Sequence, residues 1–192
     1  MTESEFEDSF RSVSMVHEMY NDGLYFVDQA MKETHFGDKH RCYRFAIVSF
    51  ASSFESFINT LIRHALFNKS NRTQKEDDIL DYLENGFAQG KDFPEELSSV
   101  KRKLNLLGGL YQINKSLSST YEFKKFNMQI IQLRNAIVHY SHGNFSEVYE
   151  QRIISAANEG AQLLREVIKM FETKLNLPNF SYFDKKTYEP IN

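Results

Sequence analysis

The sequence predicts an all-α fold: an up-down bundle of four long helices with a short helical insertion. Two observations predict it. Four segments keep apolar residues at alternating spacings of three and four, the repeat of one helix face. No segment shows the period-two alternation or the hairpin turn signals of a sheet. The length of 192 residues suits a single domain over 1–192 with a fair-sized core.

The first helix carries Phe6, Phe10, Val13, His17, Tyr20, Leu24, Val27 and Met31 in register. His17 falls on that stripe and reads as a hydrogen-bonded core histidine. A break follows at His35-Phe36-Gly37-Asp38. The second helix sets Phe50, Phe54, Phe57, Ile58, Leu61, Ile62 and Ala65 on one face. Residues 68–78 are polar and read as a loop. Short helices are expected over 78–87 and 94–107, with Pro94 suited to a first turn and Gly108-Gly109 ending the second. Residues 69–119 thus form the variable insertion. A further helix starts near Thr120, with Phe123, Phe126, Ile130, Leu133 and Ile137 as its core stripe, and stops at Ser141-His142-Gly143. Asn144-Phe145-Ser146 can cap a last long helix bearing Ile153, Ala157, Gly160, Leu164, Val167, Ile168, Phe171 and Leu175. The tail, residues 177–192, is irregular and aromatic, with Phe180, Tyr182, Phe183 and Tyr188.

Composition narrows the function classes. Charged residues are 26% and hydrophobic residues 41% of the chain, values of an ordinary globular protein. The net charge of -3 argues against coating nucleic acid by bulk charge, while leaving room for one small basic cleft. The single Cys42 excludes an intramolecular disulfide and fits a reducing, cytoplasmic setting. Residues 1–10 are acidic without an apolar core, so no secretory signal is predicted. No uninterrupted apolar run approaches the ~20 residues of a membrane span, so no membrane partner is expected.

Glycine-rich phosphate loops, G-x-S-x-G and H-E-x-x-H are absent. Cys42 has no metal partner at a recognisable spacing, and no cofactor is called for. His35 and His40 flank Asp38 at a helix break. A metal could sit there, but capping and solvent exposure is the preferred reading. No metal site is assigned.

The chemistry-bearing run is Leu133-Arg134-Asn135-Ala136-Ile137-Val138-His139-Tyr140. At about 100° per residue, Asn135 and His139 fall opposite the core stripe and Arg134 flanks it. Asn135 and His139 are an i,i+4 pair. RNA carries its own nucleophile, the 2′-OH. Cleaving it takes a base for that proton, a cation near the phosphorane and an acid for the leaving oxygen. A histidine titrates in the right range for proton transfer. An arginine offers a permanent, planar fork to a phosphate. One histidine per chain does not easily serve both transfers, whereas a two-fold dimer would bring Arg134 and His139 of both chains to one cleft. The plainer alternative is that Arg134 and His139 favour a helix C-terminus because of its dipole.

The R-x-x-x-x-H spacing, with Asn after Arg, at the end of a helix in an all-helical chain, resembles the HEPN superfamily of small helical-bundle proteins. Many members are metal-independent ribonucleases of toxin–antitoxin and antiviral systems. The run Phe54-Glu55-Ser56-Phe57-Ile58-Asn59 is similar to a region in which members carry an extra polar residue facing the cleft. The resemblance implies a HEPN-like bundle with Arg134, His139, Asn135 and Glu55 as catalytic residues. It also implies RNA as substrate, a homodimer, and an antitoxin or defence-system protein as partner. Glu55 has a simpler reading as a solvated residue pairing with Arg134. Lys124, Lys125, Arg41 and Arg44 are candidates for a basic rim that binds RNA, or are solubilising surface charges. Tyr140 follows His139 directly and Ser141 comes next, a departure from members paired with a nucleotidyltransferase antitoxin. The alternative function is a non-catalytic module for dimerisation, protein interaction or nucleotide binding.

Overall fold

The computed structural model describes residues 15–86, 92–113, 116–139 and 150–177, and among them all regular structure is helical. Helix α1 is Met15–Lys32 and α2 is Phe36–Phe67. The three residues between them turn the chain back, so α1 and α2 form a long hairpin. Ser53 Oγ donates to the Val16 carbonyl at 2.6 Å near its open end.

Helix α3 is Gln74–Asn85. It begins four residues before the expected start, so the polar loop is shorter than 68–78. The cause is a capping box: the Glu76 N–H donates to Thr73 Oγ1 at 3.3 Å, and the Thr73 N–H donates to Glu76 Oε2 at 2.9 Å. The helix expected over 94–107 divides in two. Pro94 precedes a 3-10 turn, Glu95–Leu97, and extended Ser99 then caps α4, Val100–Leu110. Gly108 and Gly109 lie inside α4 rather than ending it.

Helix α5 runs without a break through Tyr121–Phe126, a π-helical stretch Asn127–Ile131, and Gln132–Val138. Thr120 caps its start, as the sequence indicates. Helix α6 is Gln151–Leu175. The expected cap at 144–146, the apolar positions before residue 15, the segment 140–143 and the tail beyond Leu177 lie outside the described residues.

Helix α2 is the hub, touching each of the other five helices. Its sequence requires this. Fourteen of its residues are buried, spread around the helix, and a helix apolar over so much of its circumference needs neighbours on several sides. An 18-residue window of α2 reaches a mean hydropathy of 1.4, so by length and composition this helix could cross a membrane. Scattered polar residues interrupt the run, so no unbroken apolar stretch marks it in the sequence. Most of that window is buried within the bundle. Of the expected core, Phe54, Ile58, Ile130, Leu133, Leu164 and Ile168 are buried, while Ile137 is only partly covered. His17 is partly buried.

The tightest packing is at Phe50. Its ring is fully buried between α1 and α6, where a Cβ on Gly23 or on Gly160 would lie 2.4 Å from a ring carbon. Tyr20, one turn before Gly23, packs beside the ring at a centroid distance of 6.2 Å. Arg165 Nη1 donates to the Tyr20 hydroxyl, tying α6 to α1.

Alanine substitutions should therefore have opposite signs by position. A buried Gly→Ala normally gains about 0.5–1 kcal/mol of helix propensity. Gly160→Ala and Gly23→Ala should instead lose about 1–3 kcal/mol, because the Phe50 ring cannot move aside in a filled core. Gly108→Ala and Gly109→Ala, where nothing lies within 4 Å of the added methyl, should gain the propensity term. Urea denaturation of the four variants reads the signs directly.

Candidate functional site

The site is built where α5 crosses α2. The π turn sets the approach. One extra residue in a helical turn rotates everything after it by roughly one residue's worth, about 100°, relative to a continuous α-helix. Ile130 and Ile131 are consequently both buried, and Ile137 swings to the edge of the core. The widened turn is tied down from outside: Arg152 Nη2 of α6 donates to the Met128 carbonyl at 2.9 Å.

After this turn Arg134 faces α2. Its guanidinium Nη2 meets Glu55 Oε1. The other oxygen of the same carboxylate, Oε2, accepts from Lys103 Nζ of α4 at 3.0 Å. One carboxylate therefore joins α2, α4 and α5. The side chain of Glu55 is 27% exposed and that of Arg134 23%, whereas Lys103 is only 5% exposed as a residue. Burial pushes the Lys103 ammonium below its ordinary value and pulls the Arg134 guanidinium down as well. The formal charge of the three groups is +1.

Lys103 was not singled out by sequence reasoning. A signal exists: Val100, Lys103, Leu104 and Leu107 share one helix face, so a lysine stands inside an apolar stripe. All four are buried. Asn59, at the end of the Phe54-to-Asn59 run, sits one turn after Glu55 on the same face of α2. Its Oδ1 is a buried acceptor with no donor among the described residues, as is Gln129 Oε1 in the π turn.

Asn135 and His139 are exposed. Neither side chain forms a hydrogen bond or ion pair with another described residue. The contact between them is through the backbone, where the His139 N–H donates to the Asn135 carbonyl at 2.9 Å. His139 is the C-cap residue of α5, with φ -103° and ψ 45°, so it has already left the helix. The i,i+4 side-chain contact expected from helical geometry does not form for that reason.

The four candidate rim cations are not gathered at this site. At 1.5 Å rise per residue, Arg41 and Arg44 lie roughly 16–21 Å back along α2 from Glu55. Arg41 bonds Asp38 at 2.8 Å and Arg44 is partly buried. Lys124 and Lys125 belong to the other end of α5, and Lys125 Nζ is 3.5 Å from Glu166. Lys124 is exposed.

His35 precedes α2 without a side-chain cap bond, its Nδ1 3.4 Å from Asp38 Oδ2. His40 turns inward and its Nδ1 donates to the Phe36 carbonyl at 3.1 Å, so the two imidazoles do not converge. Among the described residues no three His, Cys, Asp or Glu side chains are grouped as metal ligands.

Compared with protein-family models, curated proteins and solved structures, the chain matches none.

Two stability effects follow from the shared carboxylate. Glu55→Ala strands a buried ammonium and should cost about 3 kcal/mol. Lys103→Met, which leaves Glu55 its arginine partner, should be close to neutral. The lysine also sets a pH dependence. Its folded pKa lies below the ordinary 10.5, so the unfolded chain holds that proton more tightly. The burial penalty is complete below the folded pKa and is relieved as pH rises through it towards 10.5. Wild type should therefore gain stability relative to Lys103→Met across that alkaline window, as measured by urea titrations at successive pH values.

Proposed function

We propose that this protein is an endoribonuclease of toxin or antiviral-defence type, a HEPN-like up-down bundle acting in the cytoplasm as a two-fold homodimer. The observation that supports this reading is the division of labour in the last two turns of α5. Arg134 is anchored by Glu55, while Asn135 and His139 stand exposed beyond it with no side-chain partner among the described residues.

The chemistry fits these groups. A neutral His139 takes the proton of a ribose 2′-OH, and the oxygen attacks the adjacent phosphorus. Arg134 stabilises the charge that develops on the phosphorane oxygens. The bond from phosphorus to the 5′-oxygen breaks, and that oxygen takes a proton from the partner's His139. The products are a 2′,3′-cyclic phosphate and a 5′-hydroxyl. Glu55 orients Arg134, and Asn135 is assigned to orient His139 when RNA is bound. No step calls for a metal, and an antitoxin or defence-system protein is the expected partner.

A second reading is favoured by one feature of the same geometry. An arginine already held by a carboxylate can be purely structural, which suits a non-catalytic module for dimerisation, protein interaction or nucleotide binding.

Single-stranded RNA incubated in EDTA with wild type, His139→Ala and Arg134→Lys separates the two. Wild type should be a dimer by light scattering and should cut the RNA. His139→Ala should lose about 10²–10⁴-fold in rate. Arg134→Lys should also be strongly impaired, since an ammonium does not reproduce the guanidinium fork. A folded wild-type dimer that leaves every RNA intact supports the module reading. Equal cutting by wild type and His139→Ala overturns the site assignment.

A further inference from the structure

A phosphate approaching Arg134 has to compete with the carboxylate already bound there. An isolated Arg134–Glu55 pair would be neutral and would offer an anion little. The third member changes this. Lys103 holds the far oxygen of Glu55 at 3.0 Å and is 5% exposed, so solvent and ligand do not reach it. The carboxylate is thereby neutralised from inside the bundle. The one unbalanced positive charge is left on the more exposed cation, Arg134, whose Nη2 meets Glu55. Burying an ion pair is seldom a net gain over apolar side chains of similar size. A lysine among Val100, Leu104 and Leu107 is therefore poorly explained by stability.

We propose that Lys103 is a positioning residue that offsets Glu55 from the core side and so keeps Arg134 able to bind a phosphodiester. The inference rests on the reading of Arg134 as a phosphate-binding group. It does not depend on whether the bound phosphodiester is then cleaved.

The test is a charge-neutralisation cycle read by binding alone. The probe is a fluorescent single-stranded 12-mer of 2′-O-methyl RNA, which lacks the nucleophile and stays intact; anisotropy at low salt gives Kd. Arg134→Gln should weaken binding about tenfold. Lys103→Met leaves Glu55 to cancel Arg134 and should weaken it by a similar factor. Lys103→Met combined with Glu55→Gln restores the net charge of +1 and should return Kd to within about threefold of wild type. A merely structural role for Lys103 predicts no such recovery. If Lys103→Met does not fold by circular dichroism, the double variant is compared with wild type and Arg134→Gln, and binding equal to wild type is again expected. The proposal is overturned by unchanged binding in folded Lys103→Met, by a double variant that binds no better than Arg134→Gln, or by a wild type that does not bind the probe. The ribonuclease reading fails separately: wild type then binds the probe yet leaves the all-ribose 12-mer uncut.

Discussion

The seating of Phe50 governs the rest of the molecule. An aromatic ring on the central helix enters a space that exists only because Gly23 and Gly160 have no side chains. Three helices are set against one another by that ring, since any Cβ at either glycine would force them apart. Interiors are close-packed and do not deform smoothly, so this contact fixes the placement of α1 and α6 on α2. Phe54, one turn further on, continues the same face. It packs against Phe126 of α5 at 4.8 Å and Phe171 of α6 at 5.8 Å between ring centroids.

Glu55 is the neighbour of Phe54 and points to a different side. The aromatic stripe that holds the bundle together therefore also aims the carboxylate at the seam between α4 and α5. There it meets one cation that is buried and one that is partly exposed. Removing charges from water is costly, and the mutual attraction repays that cost only with good geometry. The arrangement shares one anion between two cations, one oxygen to each. Its electrostatic asymmetry, with the deeper cation sealed and the shallower one accessible, is what gives the site a direction.

Several features of this site were legible in the chain. Arg134, Asn135 and His139 stood out because polar residues recur on a helix whose other face is apolar. Glu55 stands out only through the resemblance of the Phe54-to-Asn59 run, and its pairing with Arg134 is one of the readings the sequence allows. Other features were not legible. The π turn at Asn127–Ile131 leaves no mark on the spacing of Phe126, Ile130 and Leu133, which is compatible with an unbroken α-helix. Periodicity alone therefore puts Ile137 in the core, whereas it lies at the core's edge. Lys103 was hidden in a basic run, Lys101-Arg102-Lys103, where three neighbours look alike in composition and differ only in which way they face.

Local rules settled what local physics controls. Apolar periodicity identified the long helices, and Thr120 marked a start because its side chain satisfies an N–H three residues on. Thr73 and Glu76 carried an equally local signal that composition alone obscured. Alone, the sequence determined an all-α chain, the inward faces of its long helices and a cluster of polar residues near the end of α5. Tertiary structure decided which of those residues meet. Glu55, Lys103 and Arg134 are separated by 48 and 31 positions in sequence, and no helical period relates them. Their encounter depends on how α2, α4 and α5 cross, and on the extra residue in the helical turn that precedes Arg134.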